Sequence, residues 1–520
     1  MKWAIYNLLF AAVYPFLLPG FLVRMLRRGG YAARFWDRFA LYPEGLFGKD
    51  RPLYDSHASR GAPGGRALPV VGADVSRGAP GGRALPVVGA DVLGGPKGFV
   101  WIHAVSVGEV QVAAQLMREW RKVEPGVRFC FSTTSSTGWK IAEKELSTLN
   151  SQLSTSSDVL IYNPLDFPNF VKSALRTVRP RAIVLTESEI WPNFIRTAKK
   201  MGIPLYLINA RVSDRSAPRY ARAKWFFADV FGCFSRIFAQ SQLDADRLVA
   251  AGAPKEKVEV TGSFKFDVAR RNEAKERELA EWIFGRDENG RVPACGSRPR
   301  ILLGGSTWPG EDEVLLGIYK RLIEQSNNSN NSNNRTILVI APRHFEKADA
   351  VEANIRKAGF ACIRRSRGDT SPLGLGPSPS PTPSPLGLGP SPSSTPTPPP
   401  PPVFLADTTG ELMGLYGIAD VVFVGKSLCA HGSQNMIEPC LCGKPTYVGP
   451  YTENFRPVMS DLLSSGAIVQ VRDEQELTER ICRDFAEPSA NVELGVRALM
   501  AVESRCGVVA KCVKTIRAEL

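Results

Sequence analysis

Residues Trp101 to Val110 read WIHAVSVGEV: an apolar run that stops near His103, a Gly108 that permits a tight turn, and Glu109 opening a helix. The same unit of buried strand, turn and helix recurs along the chain. GFVWI, RFCFS, VLIYN, AIVLT, PLYLI and RIFAQ supply the strands of the first half, and RILLGG, TILVIAP, FACIR, VFLAD, DVVFVG, PTYVG and AIVQV those of the second. Continuous apolar runs of this length, each trailed by a polar or amphipathic stretch, are the signature of parallel strands covered on both faces. Two such sets, parted near Asp267 to Arg298, predict an α/β protein of two doubly wound, Rossmann-like domains facing across a cleft, with ligands bound beyond the carboxyl ends of the strands.

Working outward, the domains read as an anchor and basic segment over 1–48, a repeat insertion over 49–97, an N-terminal domain over 98–270, a C-terminal domain over 299–495 and a C-terminal helix over 496–520. The insertion holds SRGAPGGRALPVVGADV twice in tandem, Ser59 to Val75 and Ser76 to Val92. Two copies of a Gly- and Pro-rich 17-mer cannot stack into a core. The Asn/Ser run over 326–334 and the Ser/Pro stretch over 366–402 are expected to be disordered for the same reason.

From Trp3 to Val23 the chain carries no charge, and Arg24, Arg27 and Arg28 follow. That predicts an N-terminal anchor, either spanning the bilayer or lying in its interface, where Pro15 and Pro19 would interrupt a straight span. The Arg cluster would keep the body of the protein in the cytoplasm. With 65 Lys and Arg against 51 Asp and Glu, the formal charge of +14 favours polyanionic partners such as an anionic membrane surface or phosphorylated substrates. No nucleic-acid-binding signature accompanies it. Ten scattered cysteines and four histidines, none at metal-ligand spacing, predict reduced thiols and neither a metal nor another cofactor.

Several positions carry chemistry at the expected strand ends. Glu109 would face the cleft as a general base, or simply stabilise its helix's first turn. In AIVLTESEIWPN, Glu187 and Glu189 follow a strand and alternate faces, so one should enter the cleft and the other pack or cap. In GSFKFD, Lys265 follows the strand VEVTG, where an ammonium can neutralise a departing phosphate. The second half offers Ser306 and Thr307 in GGSTWPGEDE, Arg343 and His344 in APRHFEK, Thr409, Gly410 and Glu411 at a helix start, and Asn435 with Glu438 one turn on. Each suits ordinary capping, but four such starts after strands of one domain point to a nucleotide cleft.

In order, WIHAVSVGE, TESEIWPN, INARVSDRS, TGSFKFD, APRH, TTGELMGLYGIADVVFVG, N-x-x-EP and VGPYTENF resemble the Kdo transferases, inverting glycosyltransferases of two-domain GT-B fold. The resemblance covers essentially the whole chain outside the low-complexity stretches. It implies transfer of Kdo (3-deoxy-D-manno-octulosonic acid) from CMP-Kdo to lipid IVA at the cytoplasmic face of the inner membrane, without a metal. It also implies that Glu109 is the general base and that Glu187 and Lys265 stabilise the transition state. CMP would be held by Pro342, Arg343, Thr409, Gly410, Glu411, Asn435, Met436, Ile437 and Glu438. The chain departs from the family pattern at Gln434 and Trp308, where histidines are usual, and at Lys426, where glycine is common. RFWDRFALY resembles an Arg-Trp-Gly-Glu-Arg stretch of the family, with Asp37 in the acidic position.

Overall fold

The computed structural model describes residues 2–28, 32–47, 98–151, 158–268, 271–286, 291–293, 298–328, 335–369 and 400–520. The tandem 17-mers and residues 329–334 and 370–399 lie outside them. Seven strands form the first sheet: β1 (Phe99–His103), β2 (Arg128–Thr133), β3 (Val159–Tyr162), β4 (Pro180–Thr186), β5 (Leu205–Ala210), β6 (Arg236–Ala239) and β7 (Val258–Val260). Their order is β3-β2-β1-β4-β5-β6-β7, parallel throughout. The second sheet holds β8 (Arg300–Thr307), β9 (Thr336–Pro342), β10 (Cys362–Arg364), β11 (Val403–Leu405), β12 (Val421–Val424), β13 (Thr446–Val448) and β14 (Val469–Gln470). It runs β10-β11-β9-β8-β12-β13-β14, also all parallel.

These orders fix where a ligand can sit. In the first sheet the chain leaves β1 toward β2 on one side and returns to β4 on the other, so a crevice opens where β1 and β4 end. In the second, β8 and β12 part in the same way. Crevices at such reversals are the ligand sites of open α/β sheets. Each sheet is sandwiched between two apolar clusters: Trp101, Ile183 and Phe194 on one face of the first, Val100, Trp120 and Tyr206 on the other, all at most 1% exposed. The last helix, Val508–Ala518, returns to the first lobe and buries Val509, Cys512, Val513 and Ile516 there.

The low-complexity stretches are shorter than composition suggests. Ser326 to Asn328 close the helix Glu311–Asn328. Ser366 is folded too, donating to Asp407 from its backbone N (2.9 Å) and its hydroxyl (2.6 Å).

The N-terminal helix runs unbroken from Lys2 to Arg28, through Pro15 and Pro19. One face packs on the first lobe, with Trp3 and Tyr6 against Phe226 and Phe10 against Phe167. The opposite face exposes Ile5, Leu8, Leu9, Val13 and Phe16, the last at 85%. Among the described residues no helix is long and apolar enough to cross a membrane.

Candidate active site

Glu109 sits in the first turn of the helix Val107–Val123, directly after β1. Ser106 caps that helix by accepting from the Glu109 backbone N (3.2 Å), leaving the Glu109 side chain to fold back over the strand ends. Its Oε2 accepts from Val105 N (3.1 Å) and lies 3.0 Å from Thr186 Oγ1, whose one hydrogen is shared between Glu109 and His103 O, also at 3.0 Å, and the residue is 8% exposed. Thr186, the last residue of β4, thus ties the two arms of the crevice together.

Glu187 follows at once, held at φ +48. Asn209 at the end of β5 is also left-handed (φ +51); its Nδ2 donates to Glu187 Oε1 (3.3 Å) and its Oδ1 accepts from Phe264 N (3.0 Å), beside Lys265. Burial, and then the charge of Glu109, push the Glu187 carboxyl above its ordinary range, while Lys265 and Arg211 oppose the shift. Burial pulls the Lys265 ammonium down, with Arg211 adding to the shift and Glu187 resisting it. The Lys265 Nζ lies 4.4 Å from the centre of the Phe455 ring of the second lobe, so this carboxylate–ammonium group faces the interlobe cleft.

Glu189 turns the other way. Its Oε2 accepts from Trp191 Nε1 (3.0 Å) and lies 3.5 Å from Nε2 of the fully buried His103, making it the packing member of the pair.

Across the cleft, the loops after β8 and β12 meet on Glu311, which is 0% exposed. Its carboxylate accepts from the backbone N of Trp308 and Lys426 (both 2.8 Å), Ser427 (3.0 Å), Leu428 (3.1 Å) and Cys429 (3.4 Å). Lys426, itself at φ +58, holds its Nζ 4.7 Å from the Trp308 ring centre, and Trp308 meets His344 edge-on. Two of the unusual residues at this crevice are therefore neighbours that stack on each other. Gln434 is tied down by its backbone, donating to Gly425 O (3.1 Å).

The residues expected around CMP line the same side with different parts exposed. Pro342 ends β9, and Arg343 is exposed, its backbone N donating to Thr307 O. Thr409 and Gly410 (φ +82) are exposed, whereas Glu411 is tied by Arg365 (3.1 Å) and Lys275 (3.6 Å). Burial raises the Glu411 carboxyl, but these cations and Thr408 bring it below its ordinary range overall. Asn435 accepts from Ile437 N (3.1 Å) and donates to Glu438 (2.9 Å), and burial pushes the Glu438 carboxyl up against the Asn435 bond and the Arg343 charge. Met436 and Ile437 are fully buried, so neither presents its side chain to a ligand. Thr186, Asn209, Arg211 and Glu311 are site residues that the sequence reading did not single out. The one usable signal was Asn209, an asparagine at a strand end, a residue type that tolerates left-handed backbone.

Residues 69–268 match the family model described as 3-Deoxy-D-manno-octulosonic-acid transferase (kdotransferase). The chain is 30% identical over 385 residues to the 3-deoxy-D-manno-octulosonic acid transferase of Haemophilus influenzae, covering 74% of this chain and 78% of that one. It belongs to the 3-deoxy-D-manno-octulosonic acid transferase family. The Bordetella pertussis transferase of the same name is also 30% identical, over 75% of this chain and 80% of its own length. Among solved structures, the C-terminal CMP-Kdo binding domain of WaaA from Acinetobacter baumannii aligns at 22% identity and a TM-score of 0.33, over 44% of this chain and 99% of that one. The transferase is thus a glycosyltransferase of lipopolysaccharide biosynthesis that handles Kdo. Glu109, Glu187 and Lys265 fall within the residues matched by the family model.

Proposed function

We propose that this transferase moves Kdo from CMP-Kdo to lipid IVA with inversion, and that Glu109 is the general base. The observation that carries the reading is the crevice between β1 and β4, where Glu109 and Glu187 stand together and Lys265 reaches Phe455 of the other lobe. In this reading the acceptor hydroxyl gives its proton to Glu109 as its oxygen bonds to the anomeric carbon. CMP leaves with the electron pair of the broken glycosyl–phosphate bond, and no covalent intermediate forms. Glu187 faces the positive charge that develops on the sugar ring, and Lys265 the negative charge that develops on the phosphate. The donor nucleotide lies against the loops that Glu311 organises and the helix starts at Glu411 and Met436.

Glu109→Gln separates this chemistry from binding. Loss of transfer from CMP-Kdo to lipid IVA with CMP binding retained supports the base, and product at the wild-type rate overturns it. Mass spectrometry of the product, with UDP-sugars as competing donors, tests donor and acceptor.

The N-terminal helix is proposed to lie in the cytoplasmic face of the inner membrane as a monotopic anchor. Its lobe-facing side is already occupied, its outer side is apolar, and the exposed Arg215, Arg219, Arg222, Lys224 and Trp225 follow Lys2 on the same lobe. Sedimentation with vesicles containing anionic lipid tests this, with Leu9→Ser/Phe16→Ser expected to stay in the supernatant and wild type to pellet.

A further inference from the structure

We infer that the N-terminal helix is also part of the catalytic scaffold: Tyr6 and Asn7 are positioning residues that fix the Glu187–Trp191 loop. This rests on the reading of Glu109 and Glu187 given above, and it assigns the helix a role separate from holding the protein at a membrane.

The junction is built around Asp166, 1% exposed and just beyond β3. Its Oδ2 accepts from Asn193 N (3.0 Å) and Tyr6 Oη (3.1 Å), and its Oδ1 accepts from Phe194 N (2.8 Å). Asn193, 3% exposed, donates from Nδ2 to Asp166 O (2.6 Å) and to Asn7 Oδ1 (2.7 Å). Asn193 and Phe194 lie in the first turn of the helix Pro192–Lys200, whose N-cap residue, Trp191, makes no side-chain capping bond. The amides that a helix start leaves without partners are satisfied here from a distance by Asp166. Asp166 and Asn193 in turn lean on Tyr6 and Asn7.

From that helix start the contacts continue to the reacting groups. Trp191 donates to Glu189, Glu189 lies against His103, and His103 ends β1, six residues before Glu109. Glu187, two residues before Glu189, keeps a left-handed φ of +48. A glutamate holds such a conformation only where its surroundings fix it from several sides. Asn209 fixes one side; the start of the Pro192 helix fixes the other. Lys2, Trp3 and Phe10 hold the N-terminal helix to the lobe, Lys2 by a 2.8 Å bond to Trp225 O, so Tyr6 and Asn7 are presented by a docked wall of the domain.

The test uses the full chain with Tyr6→Phe, Asn7→Ala and Asn7→Asp. Transfer is measured in detergent micelles, where tethering to a bilayer plays no part, beside vesicle sedimentation and thermal melting. Tyr6→Phe and Asn7→Ala should pellet with vesicles as wild type does, while kcat falls roughly tenfold, the effect of about one lost hydrogen bond, and KM for CMP-Kdo stays put. Asn7→Asp keeps the accepting oxygen and should restore kcat. Wild-type kcat in both Tyr6→Phe and Asn7→Ala overturns the inference. So does a kcat loss that Asn7→Asp shares in full, or one that only follows a fall in melting temperature. If Glu109→Gln retains transfer, the catalytic assignment fails by itself, and the kcat of the Tyr6 and Asn7 variants still reports whether the helix supports turnover.

Discussion

Replacing Glu311 by glutamine should damage the donor lobe out of proportion to the single atom changed. The carboxylate receives two backbone N–H groups on Oε2, from Trp308 and Lys426, and three on Oε1, from Ser427, Leu428 and Cys429. An amide keeps one oxygen and turns an NH2 group toward the other set. Whichever way it flips, at least two buried donors then face a donor. At about 1–3 kcal/mol for each stranded group, the variant loses roughly 2–6 kcal/mol. For a lobe of this size that lowers its melting transition by roughly 5–20 °C. Scanning calorimetry reads the transition, and titration calorimetry with CMP reads whether the loops after β8 and β12 still present their amides. The donor lobe should melt early and bind CMP weakly, with the first lobe's transition in place. A Glu311→Gln protein that melts and binds CMP as wild type does would refute the reasoning.

Thr186→Val removes the hydroxyl that holds Glu109 Oε2 and should cut kcat roughly tenfold or more in a transfer assay, with little change in KM for the donor. Arg211→Gln removes a positive charge that favours ionised Glu187, so the Glu187 carboxyl rises further above its ordinary range; since the reading needs it ionised, the acidic limb of the pH–rate profile should move to higher pH. Gly425→Ala would put a Cβ 2.3 Å from Ser306 O and 2.6 Å from Thr307 Cα, forcing the β8 and β12 loops apart. A loss of more than about 2 kcal/mol in denaturant unfolding is expected.

The sheets were the most legible part of the chain. Thirteen of the fourteen strands were announced by an apolar run, because a parallel strand covered on both faces has no polar side to disguise it; β7, an edge strand with Glu259 at its centre, was read only as VEVTG ahead of Lys265. Strand order was not legible, and it is the order that places Glu109 beside Glu187. The TESEIW segment shows the same limit on a smaller scale. Alternation made one glutamate face the cleft without saying which; the family resemblance singled out Glu187, and in the fold Glu187 takes the positive φ while Glu189 is tied to Trp191. Glu311 escaped notice because an acidic residue opening a helix is commonplace, and the loop it gathers lies more than a hundred positions away in sequence. The docking of the N-terminal helix was hidden for a similar reason: hydropathy reports how apolar its outer face is, and says nothing of Tyr6 meeting Asp166.

The two crevices are built on one device put to opposite ends. In each, a glutamate near a helix start folds back onto the backbone at the end of a strand. A carboxylate has about four lone-pair sites. Glu311 receives five N–H donors and is sealed from solvent, so its two oxygens are fully engaged in gathering loops. Among the described residues Glu109 receives at most two donors, Val105 N and the shared Thr186 hydroxyl, both on Oε2, and it retains 8% exposure. Those two bonds orient the group without saturating it, and in the proposed mechanism the second oxygen is the one that takes the acceptor's proton. On the proposed mechanism, the number of donors on each carboxylate, more than its burial, separates the glutamate that builds a site from the one that works in it.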